Sequence, residues 1–186
     1  MKILGSHTAS FASVRALAVH CHALDLSASE LFFASTHVDK DEKTKAAYEE
    51  QFTSLLLSLA IALRTKFYQG YNHRATIPYV SHCGFLFNCG DLTEQSVEFS
   101  MKDVCDKIIH ALSIEKDLGG EMENAATTLC GKGADGAEWE LSISVRLFAE
   151  AVLNWLRDVE ATAPALMDAQ VANIVHVGGL RQDAGP

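Results

Sequence analysis

Polar and apolar residues recur at helical spacing through most of this chain. In residues 11–35, FASVRALAVHCHALDLSASELFFAS, the apolar positions Phe11, Val14, Leu17, Ala18, Cys21 and Leu24 fall at steps of three and four, one face of a helix. SASE at 27–30 has the form of a capping box. Either a second short helix begins there or one helix continues to about residue 35. The strongest helical pattern is 39–68, where Tyr48, Phe52, Leu55, Leu56, Leu59, Leu63 and Phe67 recur. Acidic residues open it, Arg64 and Lys66 close it, and Gly70 is a plausible stop.

The pattern then changes. Residues 70–99 carry glycines and short apolar runs, which predicts an irregular segment with a short strand around 84–88. Ser100 reads as an N-cap with Asp103 as its acidic partner, and a helix is expected over 101–112, MKDVCDKIIHAL. Val104, Ile108 and Leu112 form its apolar stripe, flanked by Cys105 and Ile109. ATTLCGKG at 126–133, the turn ADG at 134–136 and AEWELSISV at 137–145 predict a β-hairpin. Its second strand alternates, with Trp139, Leu141, Ile143 and Val145 on one face. A helix over 146–160 is expected next, then a C-terminal tail from 161 to 186 with a weak amphipathic helix at 165–177 and a loose end. This pattern predicts a mainly α fold with a small β-hairpin, in a single domain over 1–160.

Composition narrows the partners. With 186 residues, 48% of them hydrophobic, the chain can bury a core. Fifteen Lys and Arg against twenty-four Asp and Glu give a net charge of −9. That leaves no broad basic face for duplex DNA, while a local site for single-stranded RNA stays open. The longest apolar run, LLLSLAIAL at 55–63, is short of the roughly 18–20 residues of a membrane span, and MKILGSHTAS lacks a signal-peptide pattern. A cytoplasmic protein with no membrane partner is expected. Its five irregularly spaced cysteines are then reduced thiols.

Candidate chemistry is sparse. His20, Cys21 and His22, and His82, Cys83 and Cys89, lack the close paired spacing of a zinc site, so neither a metal nor a cofactor is expected. GKGADG at 131–136 lacks Walker spacing and precedes a strand, so a hairpin turn accounts for it. No GxSxG elbow is present. Cys105 and His110 lie five apart on one helix, about 140° round from each other, a poor geometry for a nucleophile and its base. Lys102, Asp106 and His110 are spaced by four and form one polar ridge. As a solvated face, that ridge would hold an ion pair from Lys102 to Asp106 and, when His110 is protonated, another from Asp106 to His110.

CDKIIHA at 105–111 also resembles the signature helix of HEPN domains (higher eukaryotes and prokaryotes nucleotide-binding domains), an arginine followed after four to six residues by a histidine. The long helix ending SLAIALRTKFYQG resembles the bundle helix before that signature, and LFAEAVLNWL resembles a C-terminal elaboration of small bacterial members. The likeness spans residues 8–158. It implies a helical bundle, a homodimer, and a metal-independent ribonuclease of a toxin–antitoxin or other bacterial defence system, with a cognate antitoxin or defence protein as a further partner. His110 matches the histidine and Asp106 the polar position, but the arginine position holds Cys105. A thiol supplies no charged fork for a phosphate, so the ribonuclease site that the resemblance implies is expected to be degenerate or attenuated. Lys102, Lys107 and Arg64 are the cations at hand to contact it. The alternative is a non-catalytic dimeric binding module. RALAVH at 15–20 also spells arginine, four residues, histidine, but it lies on the first helix and is read as coincidence.

Overall fold

The computed structural model describes residues 9–34, 42–71, 84–88, 93–95, 100–118 and 126–178. Helix α1 (Phe11–Ser29) starts at Ser10, whose side chain accepts the Ser13 backbone N–H at 2.9 Å. It runs directly into a π-helical turn, Glu30–Ala34, so the segment is one continuous helix. The capping signal at 27–30 is not used: the Ser27 hydroxyl donates back to the Leu24 carbonyl instead. Val14, Ala18 and Cys21 are buried, as their spacing predicts.

Helix α2 (Glu42–Lys66) buries Tyr48, Phe52, Leu56, Leu59, Ala60 and Leu63. A second π-helical turn, Phe67–Tyr71, ends it, and Gly70 takes φ +95°, a left-handed conformation suited to glycine. Strands β1 (Gly84–Asn88) and β2 (Thr93–Gln95) follow. Helix α3 is Met101–His110, and strand β3 is Ser113–Lys116. The hairpin strands are β4 (Thr127–Lys132) and β5 (Glu138–Ile143), and helix α4 is Val145–Gly178.

The expected hairpin is the centre of a larger sheet. Five antiparallel strands stand in the order β2-β1-β5-β4-β3. The β4–β5 turn forms at Ala134, Asp135 and Gly136: the Gly133 N–H donates to the Ala137 carbonyl at 2.7 Å, and Gly136 has φ +83°. Trp139, Leu141 and Ile143 are buried on one face of β5, as the alternation predicts.

Val145, expected at the end of the second hairpin strand, begins α4 instead, and the largest boundary differences lie at the ends of α3 and α4. Helix α3 stops at His110, not residue 112, because Ala111 turns extended and the Leu112 N–H donates to the Cys130 carbonyl at 2.7 Å. Leu112 is thereby 74% exposed and is not part of the apolar stripe. Helix α4 does not end near 160 but passes through Pro164 to Gly178. Helix-favouring alanine, leucine and methionine flank that proline.

The core lies where α1, α2, α3 and α4 meet one face of the sheet. Phe148, Val152, Trp155 and Leu156 of α4 are buried, and Phe67 meets Trp155 edge-on at 5.5 Å between ring centres. Burying a large apolar side chain contributes about 1.5–3 kcal/mol, so this cluster dominates stability. Asp25 of α1 joins three elements within it. Its Oδ1 pairs with Lys116 Nζ of β3, and its Oδ2 accepts the Arg146 backbone N–H at the start of α4, at 2.9 Å. A carboxylate at a helix N-terminus is favoured by the helix dipole. Among the described residues, no helix is long and apolar enough to cross a membrane.

Candidate functional site

The site is built on α3. Its start is pinned by the predicted capping box: the Asp103 N–H donates to Ser100 Oγ at 3.2 Å, and the Ser100 N–H donates to Asp103 Oδ2 at 3.0 Å. Helical periodicity then sorts the side chains. Met101, Val104, Cys105 and Ile108 face the core, while Lys102 and His110 face solvent and Asp106 and Lys107 lie at the boundary.

Cys105 is fully buried. Burial pushes its thiol well above the ordinary range, and the negative charge of Asp106 adds to that; Arg64 works in the opposite direction. Position 105 is therefore committed to packing.

The ridge does not form the ion pairs expected of a solvated face. Asp106 pairs instead with Arg64 of α2, Nε to Oδ1 at 2.9 Å, an inter-helix bond with Arg64 mostly covered. Arg64 Nη2 donates to the Tyr68 hydroxyl at 2.8 Å, and its guanidinium carbon lies 5.0 Å from the centre of that ring. Arg64 Nη1 is buried without a hydrogen-bond partner. Lys107 Nζ sits 4.1 Å from the centre of the Trp139 ring. Burial lowers its pKa from the ordinary lysine value, partly offset by Asp103.

An open pocket of about 480 Å³ lies against this face. Asp106, Lys107 and His110 line it from α3, and Lys132, Gly133, Ala134 and Trp139 line it from the hairpin. Lys132 pairs with Glu138 at 3.1 Å, both well exposed. Packing fixes the hairpin wall: a Cβ on Gly131 would fall 2.1 Å from Trp139 Cζ2, so only glycine lets the indole lie across β4.

Of the residues singled out in sequence, Asp106, Lys107 and His110 come together, and Arg64, which is not part of the pocket lining, pairs with Asp106. Lys102 is exposed on the same helix but does not line the pocket. Lys132 and Trp139 are new to the site. A lysine inside a glycine-rich turn was the only signal for the first, and it reads equally well as a hairpin. In RALAVH, Arg15 pairs with Glu160 of α4 while His20 is exposed. His22 bonds Glu150 at 3.0 Å, a further tie between α1 and α4. Among the described residues, no three His, Cys, Asp or Glu side chains are grouped to hold a metal ion. His82, Cys83 and Cys89 lie outside the described residues. Compared with known proteins, the chain matches no family model, no curated protein and no solved structure.

Proposed function

We propose that this chain is a HEPN-like protein of a bacterial defence or toxin–antitoxin system that binds single-stranded RNA in the pocket beside α3 and cleaves it without a metal. One observation carries this reading: a single open pocket is lined by His110 and Lys107 of α3 and by Lys132 of the hairpin, so an imidazole-bearing and two ammonium-bearing residues from two separate elements meet at one cavity. A pocket of this size accommodates a nucleotide-sized ligand. The two lysines supply the charge that a phosphate requires, as point charges in place of a fork.

In the proposed reaction, the ribose 2′-oxygen attacks the adjacent phosphorus and the bond to the 5′-oxygen breaks. The products are a 2′,3′-cyclic phosphate and a 5′-hydroxyl. His110 takes the 2′-hydroxyl proton. Lys107, cationic yet more acidic than an ordinary lysine, returns a proton to the leaving 5′-oxygen. Lys132 offsets charge building on the non-bridging oxygens. Asp106, braced by Arg64, keeps the α3 wall in place.

The test is incubation of labelled single-stranded RNA with chelator present, with mass spectrometry of the ends. Cyclic-phosphate products lost in His110→Ala support cleavage; no products at any protein concentration refute it. A second reading, a non-catalytic dimeric binding module, is favoured by the burial of Cys105 at the arginine position. It predicts RNA or protein binding with no cleavage, and equal behaviour of wild type and His110→Ala.

A further inference from the structure

Tyr68 stands out from the exposed apolar residues. It is 79% exposed, yet its position is determined at two points by Arg64, the hydroxyl contact at 2.8 Å and the guanidinium 5.0 Å from the ring centre. Long surface side chains held this way keep a fixed orientation with little entropy left to lose. The residue lies in the π-helical turn that ends α2, a local geometry often found at functional sites. Phe67 beside it is buried and meets Trp155, so the turn is anchored while Tyr68 is presented outward.

Arg64 also links this ring to the pocket. The same guanidinium bonds Asp106 at 2.9 Å, and Asp106 lines the pocket wall. Only one side chain therefore separates an exposed aromatic face from the carboxylate at the pocket edge. Single-stranded nucleic acids are held by this combination: cations along the backbone and aromatic faces on which bases stack.

We infer that Tyr68 is a base-stacking platform for single-stranded RNA whose phosphate lies in the α3 pocket, with Arg64 fixing the ring. This rests on the RNA reading above and names the part of the ligand read outside the pocket. The contact is with a base and not the backbone, and it is tolerant of base identity because every base has a π-face.

The test is fluorescence anisotropy at low salt with a labelled 12-nucleotide RNA and a matched strand lacking bases. The proteins are wild type, Tyr68→Ala, Tyr68→Phe, Tyr68→Trp and Lys107→Glu. Tyr68→Ala should weaken binding of the base-bearing strand about 5-fold or more, by the usual size of a stacking contact, and leave the abasic strand unchanged. Tyr68→Phe, which keeps the ring and its guanidinium contact but loses the hydroxyl bond, should lose far less than Tyr68→Ala, and Tyr68→Trp should retain binding, with indole fluorescence quenched by the base-bearing strand alone. Equal losses on both strands would overturn stacking and leave a structural role. No loss in Tyr68→Ala, with binding abolished by Lys107→Glu, would overturn the platform and spare the pocket. No RNA binding by wild type would overturn both.

Discussion

Replacing Cys105 by arginine would restore the letter that the family likeness lacks, and the structure predicts that it unfolds the protein. Cys105 is fully buried between α3 and the core. Arginine adds several heavy atoms to a packed site, and overpacking alone costs about 1–3 kcal/mol. It also buries a guanidinium, whose effective desolvation is several kcal/mol. Arg64, whose charge already acts on Cys105, would repel it, and Asp103 and Asp106 would offset part of the cost. The total reaches or exceeds about 5 kcal/mol, the lower end of ordinary domain stability. Cys105→Ala, which only removes a small buried group, should cost about 1–2 kcal/mol. Urea unfolding followed by far-UV circular dichroism measures both. A folded Cys105→Arg with a midpoint near wild type would show that the side chain reaches solvent, and the packing assigned to α3 would be wrong.

Three further perturbations probe the fold and the site. Gly131→Ala should destabilise by about 1–3 kcal/mol in the same assay, because the new methyl meets the Trp139 indole at 2.1 Å and must displace it; a stable variant with unchanged tryptophan emission would contradict the contact. Asp25→Ala should cost about 3–5 kcal/mol, by removing the carboxylate that joins Lys116 and the start of α4, and pairing it with Lys116→Met should recover part of the loss. Stability should also fall as pH rises from 9 towards 12: the Cys21 thiol ionises near its ordinary 9.0 when unfolded, but burial, helped by Asp25, pushes it up to about 12 in the fold. The contribution is intact below pH 9 and is lost above it, at up to about 1.4 kcal/mol per pH unit, so a Cys21→Ala variant should show a flatter alkaline limb.

Strong signals between neighbours in sequence correspond to features that form, apart from SASE at 27–30, which a continuous helix overrides. The capping box at Ser100, the alternation from Trp139 to Ile143 and the ADG turn each involve neighbours in sequence, and each formed. The burial of Val14, Ala18 and Cys21 followed from period alone. What the pattern did not reveal depends on tertiary partners. Strand β3 is four residues long without clear alternation, and it exists through pairing with β4. That pairing also draws Leu112 off the helix. The spacing of Lys102, Asp106 and His110 suggested pairs along one helix, but Arg64 from another helix reached Asp106 first. Lys132 entered the site only because the hairpin packs beside α3, a juxtaposition across about twenty-five residues of chain that no local pattern encodes.

The most direct test of the central claim is the affinity of the intact protein for a single-stranded RNA, measured by anisotropy over a salt series, with Lys107→Glu and Lys132→Glu as partners to wild type. If phosphate sits in the α3 pocket, wild type binds saturably, binding weakens as salt rises, and each charge reversal lowers affinity by about tenfold or more while the melting curve is preserved. Saturable binding that neither reversal disturbs, or no binding at the lowest salt, would contradict the claim that this pocket is the RNA site.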